Sequence, residues 1–104
     1  MEIKFTKTKL LKEVNNDMCH NYYWLYYGRI YNDDQSCYKA FNFIVWFDIF
    51  DVMDYFGEEY VTKKMTKEYA NELAWNTTSL INSFEDCKQF YSWCHKSIDD
   101  FNGE

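Results

Sequence analysis

An α+β domain is what this chain predicts: an N-terminal helix, an antiparallel β-hairpin or small sheet, then three helices packed against it, all in one domain over residues 1–104. Three observations carry that expectation. Two runs rich in aromatic and β-branched residues, 20–31 and 37–47, flank the turn cluster Asn32-Asp33-Asp34-Gln35-Ser36. The apolar block 38–57 turns at Asp48 and continues with helical spacing as far as Gly57. Beyond it, apolar residues recur at helical intervals through two segments, each opened by a capping residue.

Residues 6–16 (TKTKLLKEVNN) open on a capping threonine and place Leu10, Leu11 and Val14 on one side, with Lys7, Lys9, Lys12 and Glu13 on the rest. That spacing predicts a short amphipathic helix, with 1–5 as an optional edge strand before it. In the first aromatic run Tyr22, Trp24 and Tyr26 share one face and Tyr23, Leu25 and Tyr27 the other, while Gly28 marks a bulge or a close backbone approach. The second run becomes apolar on both faces toward Phe47, so that end is expected to be covered on both sides. A continuous helix over 38–56 is the competing reading, and the β-branched and aromatic content favours strand then helix.

Asp48 is placed to cap a helix running to Phe56, with Ile49, Val52, Met53 and Phe56 inward, Phe50 at the margin of that face, Asp51, Asp54 and Glu58 outward, and Gly57 as the stop. Thr66 is expected to cap a long helix with Tyr69, Leu73, Asn76 or Thr77, and Leu80 in its seam and Ala70 and Ala74 beside it. Ser83, three residues before Asp86, opens the last helix, whose inward face is Cys87, Phe90, Tyr91, Cys94 and Ile98.

Aromatic residues make up 22% of the chain, which excludes a disordered segment. A net charge of −6 argues against direct nucleic-acid binding and against an anionic membrane surface, since both need clustered Lys and Arg. No apolar run is long enough to span a bilayer and no apolar leader follows Met1, so a cytoplasmic location in a bacterial host is expected. In that reducing compartment Cys19, Cys37, Cys87 and Cys94 are expected to be free, and the sequon at Asn76 unused. Abundant Lys, Asn, Tyr, Phe and Ile beside one Arg and no Pro is the residue usage of an AT-rich gene, as in a low-GC bacterium, its phages or its mobile elements.

No signature of catalysis stands out, and an enzyme is not expected. Cys19-His20 and Cys94-His95 look like halves of a zinc site, but neighbouring residues on a helix or strand point apart, so no metal and no cofactor is expected. A cysteine nucleophile needs a histidine and an orienting group, and no pattern here assembles them. No glycine-rich phosphate loop is present.

What remains is surface. Between residues 14 and 61 eight acids face only Arg29 and Lys39. Asp33, Asp34, Asp48, Asp51, Asp54, Glu58 and Glu59 are therefore the candidate contacts for a protein partner with a basic groove. Tyr26, Tyr27, Arg29 and Tyr31 are a second candidate patch, of the residue types enriched at interface hot spots. The plain alternative is that the acids are the solvated side of an amphipathic helix.

In size, charge and residue usage the chain resembles the small acidic proteins by which phages and mobile elements block host nucleic-acid machinery, the anti-CRISPR proteins among them. The resemblance spans the whole chain and rests on no motif. It implies a stoichiometric inhibitor that occupies the basic groove of a defence nuclease such as a CRISPR effector. An antitoxin or immunity-type protein, or a structural adaptor forming a homodimer through the aromatic strand, are the other readings.

Overall fold

The described residues open on a strand, not a helix. In the computed structural model, which describes residues 1–103 apart from the side chain of Phe84, β1 (Glu2–Asn15), β2 (His20–Tyr31) and β3 (Cys37–Asp48) form an antiparallel meander in the order β1-β2-β3. Three helices follow: α1 (Ile49–Phe56), α2 (Lys63–Thr78) and α3 (Phe84–Asn102). The long axis of 48 Å is set by the strands, since 14 residues at about 3.3 Å each span roughly that distance.

The expected N-terminal helix over 6–16 is thus corrected to a strand, and the register explains why its spacing looked helical. β1 shifts against β2 twice, between Phe5 and Lys7 and between Leu10 and Lys12. Each bulge sets two residues against one and reverses the alternation of faces beyond it. Phe5, Thr8 and Leu10 therefore share one face, in register with Gly28, Tyr26 and Trp24, while Lys7, Lys9, Lys12 and Val14 share the other. Leu10 and Leu11, adjacent in sequence, end on opposite sides: Leu10 packs on the main core, Leu11 on a smaller cluster behind the sheet.

Burial of aromatic area on one sheet face drives the rest. Tyr22, Trp24, Tyr26 and Ile30 of β2 and Phe41, Phe43, Val45 and Phe47 of β3 form this face, roofed by Val52, Ala70, Ala74, Ile81, Cys87, Phe90 and Cys94. Phe43 sits at its centre, fully buried, with ring centroids of Phe5, Tyr26, Phe41, Phe90 and Trp93 within 6.2 Å. Such pairs add about 0.5–1.5 kcal/mol each beyond area burial. The other face is covered only in part: Tyr23, Leu25 and Ile44 pack with Leu11, Val14, Tyr27 and two residues from the end of α3, Ile98 and Phe101. So α3 lies along the β3 edge and reaches both faces, and the Ile44 N–H donates to Ser97 Oγ at 3.2 Å.

The local stop and start signals of α1 are as expected. The Asp48 carboxylate accepts from the Asp51 N–H, the Asp51 carboxylate accepts from the Asp48 N–H, and Gly57 ends the helix at φ 67°. Thr66 is not the cap of α2. Thr62 fills that role, its hydroxyl accepting from the Met65 N–H, while Thr66 lies a turn further in, fully buried, donating to the Lys63 carbonyl. The buried stripe of α2 is accordingly Thr66, Ala70, Ala74 and Thr78, with Tyr69 and Leu73 at its margin and Leu80 exposed beyond the helix. Small residues there let α2 lie close on the aromatic sheet. Ser83 caps α3 through the Asp86 N–H, as expected.

Candidate interaction surfaces

The seven candidate acids do not form one surface. Asp33 and Asp34 lie in the β2–β3 turn, whereas Asp48 closes the far end of β3 and Asp51 and Asp54 follow in α1; the 12 residues of β3 span roughly 40 Å. Asp33 pairs with the Met1 amino group at 2.8 Å. Asp34 accepts from both the hydroxyl and the N–H of Ser36, and these bonds hold its carboxyl below the usual range. The turn acids are thus engaged locally.

At the other end the acids stand among exposed aromatic rings. With 3.6 residues per turn, the outward side of α1 runs Phe50, Asp54, Asp51, Tyr55, and the chain continues through Glu58 and Glu59 to Tyr60. Phe50, Tyr55 and Tyr60 are 68%, 51% and 61% exposed. Tyr55 lies edge-on to Tyr69, whose phenol is raised by burial first and then by the charges of Asp51 and Asp48. Asp48 and Asp51 also serve as the helix cap, so only Asp54, Glu58 and Glu59 carry no capping role here.

The second candidate patch is divided by strand alternation. Tyr26 is 1% exposed, points into the core and donates to Asn71 Oδ1, which removes it from any contact surface. Tyr27, Arg29 and Tyr31 face the opposite way, on the side of the sheet away from the main core. In register beside them on β1 stand Lys7, Lys4 and Glu2, followed by Lys9 and Lys12 further along. Lys4 Nζ lies 5.7 Å from the centre of the Tyr31 ring. A helical reading of 6–16 disperses Lys7, Lys9 and Lys12 around a cylinder; the two bulges bring Lys4 and Lys12 to the side of Lys7 and Lys9.

The cysteines and histidines do not converge. Among the described residues no group of three or more His, Cys, Asp and Glu side chains is arranged to hold a metal ion. Burial pushes the Cys94 thiol up to about 12, and burial with nearby Asp86 raises Cys87, so neither is a thiolate at neutral pH. His95 points to solvent, and His20 Nε2 lies 2.7 Å from the Glu13 carboxylate. An open groove of about 560 Å³ runs between β3, α2 and α3, lined by Trp46, Leu73, Trp93, Lys96, Asp100 and Phe101 among others. No helix among the described residues is long and apolar enough to cross a membrane. Comparison with protein-family models, curated proteins and solved structures finds no match to this chain.

Proposed function

We propose that the chain is a non-enzymatic binding protein that docks the α1 end of the molecule into a basic groove of a protein partner, as a stoichiometric inhibitor of a nucleic-acid-handling enzyme would. The observation that supports this reading is the interleaving of carboxylates with exposed rings over 50–60. Aromatic residues supply contact area at the centre of interfaces, and the carboxylates speed encounter with a basic surface. In this reading a CRISPR effector nuclease is the partner class implied by the resemblance in size and charge. Asp54, Glu58 and Glu59 supply the charge, and Phe50, Tyr55 and Tyr60 the apolar contact. Asp33 and Asp34, roughly 40 Å away by strand length, belong to no common footprint with them.

The test is capture of partners from lysate of a low-GC host that carries CRISPR effectors, at low and high salt, with wild type and the triple variant D54K/E58K/E59K. These positions leave the Asp48–Asp51 cap intact, so a change in binding is not a change in folding, and far-UV circular dichroism checks this. The reading expects one salt-sensitive nuclease in the wild-type eluate and a loss of at least about tenfold with the variant. Equal capture by the variant removes the α1 end as the contact.

A further inference from the structure

The net charge of −6 conceals an uneven distribution. Lys4, Lys7, Lys9 and Lys12 of β1 and Arg29 of β2 make up five of the chain's eleven basic residues, and the register places all five on the sheet face away from the main core. Among the described residues the strands carry two carboxylates on that face: Glu2, 3.8 Å from Lys4 Nζ at the end toward the β2–β3 turn, and Asp48, opposite Asn21 at the other end. With five positive charges and two negative the strands of this face carry +3, so the remainder of the chain carries −9.

The arrangement has a definite shape. From Lys4 to Lys12 the β2 partners run from Arg29 to Tyr23, so the lysine row extends over about 20 Å. Inside the row, on the central strand, lie the half-buried rings of Tyr27 and Tyr31, with the exposed Arg29 between them. Ala40 and Asn42, small or polar, complete the floor on β3. α3 covers the half of this face around Tyr23 and Leu25, where Ile98 and Phe101 pack beside the Lys9 and Lys12 end of the row, and among the described residues no helix covers the half around Lys4, Lys7 and Arg29.

Lysine on an edge strand also guards against edge-to-edge pairing. That role alone does not account for the pattern. A guard has no need to bring Lys4 and Lys12 to the same face as Lys7 and Lys9, which requires both bulges. It equally leaves unexplained an arginine on the central strand between two tyrosines. A cationic row beside aromatic rings on an open sheet is the chemistry that tracks a phosphate backbone and stacks bases.

We infer that this sheet face binds single-stranded nucleic acid: the lysine row and Arg29 contact successive phosphates, and Tyr27 and Tyr31 stack bases. Single strands fit better than duplex because stacking on Tyr27 and Tyr31 needs unpaired bases. This face is separate from the α1 end, so the two readings stand or fall independently.

The test is fluorescence anisotropy with a labelled oligothymidylate of about 12 nucleotides, titrated from about 50 to about 200 mM salt. Five phosphate contacts at about 0.7 each give a log–log salt slope of about −3.5, and K7Q/K9Q lowers it to about −2. Arg29→Gln, on the central strand, is an independent variant that lowers the slope by about 0.7. Tyr27→Leu loses on the order of tenfold in affinity with no change in slope. Circular dichroism verifies that each variant is folded. Absence of binding at the lowest salt, or a slope indifferent to K7Q/K9Q and Arg29→Gln, overturns the inference. So does equal competition by duplex DNA. Equal competition by polyglutamate also overturns it, and makes the face a dock for an acidic protein.

Discussion

Replacing Gly28 with alanine sets two backbone arguments against each other. In an ordinary strand the change gains stability, because glycine costs roughly 0.5–1 kcal/mol relative to alanine. Here a Cβ at position 28 lands 2.4 Å from Phe41 Cζ and 2.9 Å from the Lys4 carbonyl oxygen. Carbon contacts settle at about 3.5–4.0 Å, so the Phe41 ring must retreat by roughly 1 Å or more. It has little room, with Phe90 at 5.0 Å, Phe43 at 5.9 Å and Phe5 at 6.2 Å between ring centres. The Lys4 carbonyl belongs to β1 and moves only with the strand. Overpacking of this kind costs about 1–3 kcal/mol, leaving a net loss of about 1–2 kcal/mol after the entropic gain. For a domain of this size the melting temperature falls by roughly 5–15 °C. Urea unfolding of wild type and Gly28→Ala measures the change through the midpoint at constant slope. Phe41→Leu in both backgrounds should recover part of the loss, with a coupling above about 0.5 kcal/mol. An unchanged or raised midpoint for Gly28→Ala would refute the close packing of β1, β2 and Phe41.

Other expectations follow from single contacts. Thr62→Ala removes the α2 cap and should cost about 1 kcal/mol in urea unfolding. Tyr26→Phe deletes the hydroxyl bonded to Asn71; Asn71 is exposed and can turn to water, so the loss should stay within about 0.5–1.5 kcal/mol. Burial raises the Cys94 thiol from 9.0 to about 12, and burial raises the Tyr26 phenol from 10.0 to about 12 against a lowering bond from Thr8. The unfolded chain sheds these protons first, so between about pH 9 and 12 it binds fewer than the folded chain. Stability is therefore full below about pH 9 and falls as pH rises toward 12, which thermal melts across that range will register. A thiol-reactive dye at pH 8 should label exposed Cys37 promptly and reach Cys87 and Cys94 only on unfolding.

The parts of the fold governed by local chemistry were legible. Alternation in 20–31 divides Tyr22, Trp24 and Tyr26 from Tyr23, Leu25 and Tyr27 just as the burial does. Asp48 and Gly57 bound α1, and Ser83 opens α3, because caps act within a turn of the helix they start or end. The first strand was illegible for a physical reason. Its lysines at 4, 7, 9 and 12 have a strand period only after two bulges are inserted, and bulges are set by the partner strand, not by β1 itself. The same blindness hid the basic face, since net charge has no direction. Thr66 misled because its hydroxyl can cap; a buried threonine that donates to its own helix looks identical until the helix is docked.

The register of β1 carries the most weight, because it decides both the fold correction and the shared lysine face. Cross-strand backbone nuclear Overhauser contacts, with 13Cα shifts over residues 2–15, measure it directly. The account predicts extended-strand shifts throughout, with Lys4 opposite Arg29, Lys7 opposite Tyr27, Lys9 opposite Leu25 and Lys12 opposite Tyr23. Helical shifts over 6–16 would contradict it. An unbroken register would do so as well, since it places Lys4 and Lys12 on the face opposite Lys7 and Lys9.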